Sequence, residues 1–266
     1  MTHYQLSTSE IPQRDFLIQS ISTDRPLQWV KLGWRDFKAR PAIGMLYGLL
    51  VGLAGFLLTY ELIDQGLFYL VPGITAGFLL VAPLFAVGLF AEAKIRYSSE
   101  RAKAENTGLI VRRNLVSIGN MGLILVLIFM NWVMLSNLMF GGVFSSVLPT
   151  WGAVRPLTDL WTESFSFGAV YIGIGAILAA CVFRMSATAI PMLVDQNVDV
   201  FNAIFASWKA VGENAAAMTL WALLIVGLCA IGFVTLFVGF IVVIPVLGYA
   251  SWHAYEEMLQ PGAVTS

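Results

Sequence analysis

Residues 215–250 read AAAMTLWALLIVGLCAIGFVTLFVGFIVVIPVLGYA, 36 positions without a charged side chain. At 1.5 Å per residue a single helix of this length would measure about 54 Å, far more than a hydrocarbon core of roughly 30 Å. The stretch therefore predicts two spans, 215–234 and 238–255, joined by a tight turn near Thr235–Gly239. Working outward, four further apolar runs occur at about 43–60, 68–91, 116–140 and 165–183. The expected fold is all-α: six transmembrane helices in one membrane domain over 27–257, with tails at 1–26 and 258–266.

Composition agrees with this reading. The chain has 266 residues, 58% hydrophobic and 12% charged, with a mean hydropathy of +0.80. A soluble domain is nearer about 45–50% apolar and 25% charged. That balance excludes a soluble enzyme, a nucleic-acid binder and a disordered chain. Cys181 and Cys229 lie apart in apolar runs, and His3 and His253 are the only histidines. Neither set has the paired spacing of a zinc site or a disulfide framework.

Residues 1–40 lack the apolar core of a cleaved signal peptide and carry Arg14, Arg25, Lys31, Arg35, Lys38 and Arg40. The first span reads instead as an uncleaved insertion signal. Six more basic residues fall in 92–115, and Arg184 and Lys209 follow the fourth span, while the intervening loops carry only Arg155. Fourteen of fifteen basic residues thus fall on one side. The positive-inside rule makes that side the cytoplasm and puts both termini there. Two amphipathic helices are expected at the interface. One carries Leu27, Val30, Trp34 and Phe37; the other carries Phe201, Ile204, Phe205, Trp208 and Val211.

A weak internal repeat is present. Gly77-Phe78-Leu79-Leu80-Val81-Ala82-Pro83 matches Gly239-Phe240-Ile241-Val242-Val243-Ile244-Pro245, and Trp34-Arg35 parallels Trp208-Lys209. Two intervening spans would make the repeat parallel, about an axis along the membrane normal. Pro83 and Pro245 each remove a backbone donor inside a helix. They mark either packing kinks or a pair of broken helices at a binding site.

The candidate functional positions are few. Gly44, Gly48, Gly52 and Gly55 form a small-residue row that admits a close helix, within the bundle or from a second copy. The spans as drawn hold no ionisable side chain, which disfavours ion coupling. Asn131 is the most polar group deep in a span and suits an interhelical hydrogen bond. Arg184 either snorkels at the cytoplasmic boundary or, in a longer helix, needs a carboxylate such as Asp195, Asp199 or Glu213. Trp252, His253, Tyr255, Glu256 and Glu257 close the last span as an interfacial belt or a docking surface.

The blocks Gly77–Leu84, Gly88-Leu89, Pro191–Asp195, Ala203, Ser207, Ala210, Asn214, Trp221 and Pro245–Tyr255 form a pattern over roughly 27–257. It resembles a family of uncharacterised bacterial integral membrane proteins, some of whose members carry a cytochrome c oxidase subunit label. Where Tyr249 stands here, that family often has His. The resemblance implies a six-helix membrane protein and no catalytic residue. A haem–copper centre needs six histidines, and one near the membrane cannot build it.

No nucleophile elbow, phosphate-binding loop or metal motif is present. The expected function is a non-catalytic accessory, assembly or scaffold component without a cofactor. Its partners would be the lipid bilayer and a membrane protein or second copy, not nucleic acid. The alternative is a transporter or channel for a small neutral or amphipathic solute, not ion-coupled.

Overall fold

The computed structural model describes residues 16–97, 106–144 and 165–261, and most of them are helical. A short strand, β1 (Phe16–Ile18), leads into α1 (Arg25–Ala39), which has Pro26 in its first turn. Proline is tolerated there because that N–H has no helical partner anyway. At Arg40 the backbone leaves the helical region (φ −139°, ψ 65°), and α2 (Pro41–Asp64) begins at once. A 3-10 turn at Phe68–Leu70 opens α3 (Val71–Phe85), followed after a break by α4 (Val87–Tyr97). Next come α5 (Thr107–Arg113), α6 (Leu115–Phe144), α7 (Phe165–Ser186) and α8 (Ala189–Asp195). The described residues close with α9 (Val200–Glu213), α10 (Ala215–Val234), α11 (Phe240–Met258) and β2 (Leu259–Pro261). β2 pairs antiparallel with β1.

Five segments are long and apolar enough to cross a membrane: Pro41–Asp64, Val71–Tyr97, Leu115–Phe140, Phe167–Asp195 and Ala215–Val234. The chain is an all-α, multi-pass membrane protein. The sixth predicted span is α11, whose second half carries Ser251, His253, Glu256 and Glu257 and is the least apolar. The second span runs past its predicted end at 91 and takes Glu92, Lys94 and Arg96 into the helix, with Glu92 buried. Arg14, Arg101, Lys103, Arg155, Glu100, Glu105, Asp159 and Glu163 lie outside the described residues.

The outward helix faces carry large apolar side chains, and glycines sit where two helices approach most closely. α2 exposes Leu46, Leu49, Leu50, Leu53 and Leu57, and α6 exposes Leu123, Leu127 and Met130. Against lipid this costs nothing, because hydrocarbon is as apolar as leucine and helices associate by close packing. The glycine row supplies that packing. A Cβ on Gly48 would stand 2.5 Å from the Phe240 carbonyl oxygen, and one on Gly44 2.9 Å from Pro245. Gly52 meets the Phe237 backbone, and Gly55 its ring. The row is therefore occupied by the chain's own α11 and the turn that leads into it. The predicted aromatic stripe of α9 faces outward, since Phe201, Phe205 and Trp208 are exposed while Ala203, Ser207 and Ala210 pack inward.

The turn between α10 and α11 falls at Thr235–Gly239, as predicted. Leu236 and Phe237 sit there with positive φ, 51° and 70°, a conformation that costs an L-residue roughly 1–2 kcal/mol. Each N–H from Thr235 to Val243 nonetheless donates inside the hairpin, that of Gly239 to the Thr235 hydroxyl. The turn packs beside Gly52 and Gly55, short of the end of α2 by the whole of residues 56–64.

Pro83 and Pro245 do different things. The helix breaks at Ala86, just after Pro83, whereas α11 runs on through Pro245. Their repeat neighbours Phe78 and Phe240 meet at 5.8 Å between ring centroids. The hinge at Arg40 recurs at Asn114 (φ −127°, ψ 32°) and Asn214 (φ −114°, ψ 33°). A short helix with a one-residue hinge thus precedes α2, α6 and α10, one unit more than the sequence repeat suggests.

Candidate functional site

A cavity of about 560 Å³ lies between α7 and α10, backed by α3, α4 and α11. Pro83, Phe90, Trp221, Ile244 and Leu247 line its depth, and Ala176, Ala179, Ala180, Thr219, Leu223 and Val226 line its sides. Several of the latter, Leu223 and Val226 among them, are exposed, so the cavity opens sideways where α7 and α10 face the bilayer. Alanines and glycines make the space: α7 offers Ala176, Ala179 and Ala180 on one face, and α11 offers Gly248. Its volume falls in the range of small-molecule sites, about 300–1,000 Å³.

One end of the cavity is polar. Arg184 of α7 lies there, beside Gly212 of α9 and Ala215 of α10. Its Nε donates to the Trp208 carbonyl at 3.1 Å, and its guanidinium lies 4.6 Å from the Trp208 ring centroid. A Cβ on Gly212 would come within 2.3 Å of an Arg184 terminal nitrogen, so only glycine leaves room for this pose. α7 ends at Ser186, two residues past Arg184, and no carboxylate lies in ion-pair range of Arg184 among the described residues. Asp195 pairs with Lys94 at 3.4 Å and accepts from the Tyr255 hydroxyl at 2.7 Å. Asp199 caps α9, and Glu213 pairs with Lys209.

The remaining polar groups form a second, closed cluster where α1, α4 and α11 meet. Asp36, 3% exposed, contacts His253 Nε2 at 2.7 Å and accepts from the Tyr97 hydroxyl at 2.7 and 2.8 Å. Arg96 lies 3.4 Å from the same carboxylate. Burial pushes the Asp36 carboxyl up, but the His253 and Tyr97 hydrogen bonds and the His253 and Arg96 charges outweigh it. The net shift is below the usual carboxylate range. Glu92 accepts from the Tyr249 hydroxyl and pairs with Arg40 at 3.4 Å. Arg25 pairs with Glu257, which also accepts from the Trp29 indole at 2.7 Å. These groups saturate one another, so the cluster reads as a lock between helices. His253 is thus an inward-facing member of the lock and not a surface docking group, because Asp36 draws it inside.

Asn131 does not join helices. It is exposed and donates to the Leu127 carbonyl of its own helix at 2.8 Å. The α6 face that does the joining carries Trp132, whose indole donates to the Gly73 carbonyl at 2.8 Å, and Ser136, 2.9 Å from the Tyr171 hydroxyl. Sequence reasoning missed Asn114 and Asn214 as hinge locks. Asn114 donates to the carbonyls of Leu193, Gln196 and Val198. Asn214 donates to Gln19 and accepts from the Ile21 N–H. An asparagine directly before a long apolar run, as in Asn114-Leu115 and Asn214-Ala215, was the available signal.

Fold and polar groups together define a multi-pass helical membrane protein with a lateral apolar cavity and, among the described residues, no cluster of metal-ligating side chains. Residues 70–195 match the model of a family described as a predicted integral membrane protein (DUF2189). This part of the chain is therefore similar to an uncharacterised membrane protein family, in line with the resemblance. The matched range contains Gly77–Leu84 and Pro191–Asp195 and leaves out the closing block Pro245–Tyr255. Neither the curated proteins nor the solved structures gave a match.

Proposed function

We propose that the protein is a non-catalytic binding module of the bacterial inner membrane that takes an amphipathic molecule sideways from the bilayer. The observation that carries this is the lateral cavity between α7 and α10, apolar along its length and polar at one end. It favours the amphipathic-solute alternative of the sequence reading over the scaffold role. The scaffold role drew on the glycine row, and that row is filled by α11. The charge asymmetry supports cytoplasmic termini.

The test is to fill the cavity. Ala222→Trp replaces a lining residue with a bulky ring. The wild-type protein, extracted in mild detergent, should retain a bound amphiphile detectable by native mass spectrometry, and the variant should lose it. Equal retention by a folded variant would discard the cavity as a binding site.

A further inference from the structure

We propose that the occupant of this cavity is a phospholipid, with an acyl chain between α7 and α10 and its phosphate held by Arg184. This rests on reading the cavity as an amphiphile site and adds the chemical class of the ligand. Arg184 is a half-buried guanidinium with no carboxylate in ion-pair range among the described residues. The three carboxylates the sequence offered it are engaged: Asp195 by Lys94 and Tyr255, Asp199 by the start of α9, Glu213 by Lys209. A cation in or beside a membrane is retained only with a partner or a path to water.

The pose fits a phosphate. Trp208 takes the Nε edge and one face of the guanidinium, and one terminal nitrogen packs against Gly212 in the space a Cβ would fill. The terminal nitrogens are left to offer two parallel donors, the geometry that matches phosphate oxygens. Basic groups in clefts between membrane helices hold lipid headgroups in this manner. The apolar space runs from Gly212 and Ala215 down to Cys229, a path of about 21 Å along α10 at 1.5 Å per residue. That path suits a chain attached to a headgroup rather than a free anion.

The full-length protein is stripped of lipid in detergent and offered phosphatidylglycerol or diacylglycerol with identical chains, with binding read by native mass spectrometry. A hydrogen-bonded ion pair predicts roughly tenfold or greater preference for phosphatidylglycerol. Arg184→Gln should abolish the preference while still taking up both lipids, and Arg184→Lys should keep part of it. Inorganic phosphate should not displace the phospholipid. No preference in the wild type, preference surviving in R184Q, or displacement by phosphate alone would each overturn the proposal. The two readings fail separately: uptake lost in Ala222→Trp but unaltered selectivity in R184Q sinks the phosphate and leaves the cavity. Uptake unchanged in Ala222→Trp sinks the cavity itself. Thermal melting of each variant reports folding, and the lysine variant keeps the test open should R184Q not fold.

Discussion

Asp36 is buried against groups from two other helices: His253 from α11, and Tyr97 and Arg96 from α4. Removing it leaves those groups desolvated without their acceptor, and breaking a buried pair in this way costs about 3–5 kcal/mol. Asp36→Ala should therefore lower the melting temperature in detergent markedly. The pH dependence follows from the lowered carboxyl pKa. A carboxyl depressed in the folded state stabilises fully above its unfolded value, about 3.9, and loses that contribution as pH falls through the folded value. Wild-type stability should drop as the pH is taken below about 4, and Asp36→Asn should lack that part of the drop. A D36N curve as acid-sensitive as the wild type would assign the loss to other carboxylates.

At the scale of elements, α2 and α11 touch along a seam with no room for a side chain. A Cβ at Gly48 would meet backbone atoms at 2.5 and 2.6 Å, which cannot rotate away. Gly48→Ala should cost about 1–3 kcal/mol by overpacking, and Gly48→Leu more. Gly173 on α7 has open space around its Cβ position, so Gly173→Ala is the neutral control, all three compared by melting in one detergent. The row's 4, 4, 3 spacing was legible as a packing face in the sequence; its partner was not, because spacing shows that a helix can approach and not which one. Asn131 misled for a related reason. Depth along a span follows from counting residues, but the direction a side chain faces is set by which helices pack on which side, and Asn131 is on the exposed side.

At the scale of the molecule, β1 and β2 are hydrogen-bonded neighbours through Phe16–Pro261, Leu17–Gln260 and Ile18–Leu259. This pairing predicts that both ends of the described chain lie on one side of the membrane, which requires an even number of complete crossings. Between Arg40 and Glu61, α2 spans about 31 Å at 1.5 Å per residue, one hydrocarbon core. We predict that the α10–α11 turn, level with Gly52 and Gly55, lies inside that layer, where satisfied N–H groups are a requirement. Single cysteines test this in a background with Cys181 and Cys229 replaced by alanine. Ser20→Cys and Gln260→Cys should react with a membrane-impermeant maleimide from one side and Gln65→Cys from the other. Val238→Cys, although exposed from the protein, should react from neither. Labelling of Val238→Cys together with Gln65→Cys would show the hairpin reaching the far surface.

The sequence by itself determined that the chain is a multi-pass helical membrane protein and where the turn between α10 and α11 falls. These depend on local apolar runs, on helix rise against bilayer thickness, and on charge, all of which act along the chain. Tertiary structure alone decided what each marked residue does. It turned the glycine row onto α11, drew His253 to Asp36, spent Asp195 on Lys94 and Tyr255, and left Arg184 at the polar end of a cavity. Those outcomes depend on which helix lies beside which, and between surfaces as uniformly apolar as these, close packing and a few buried polar contacts make that choice.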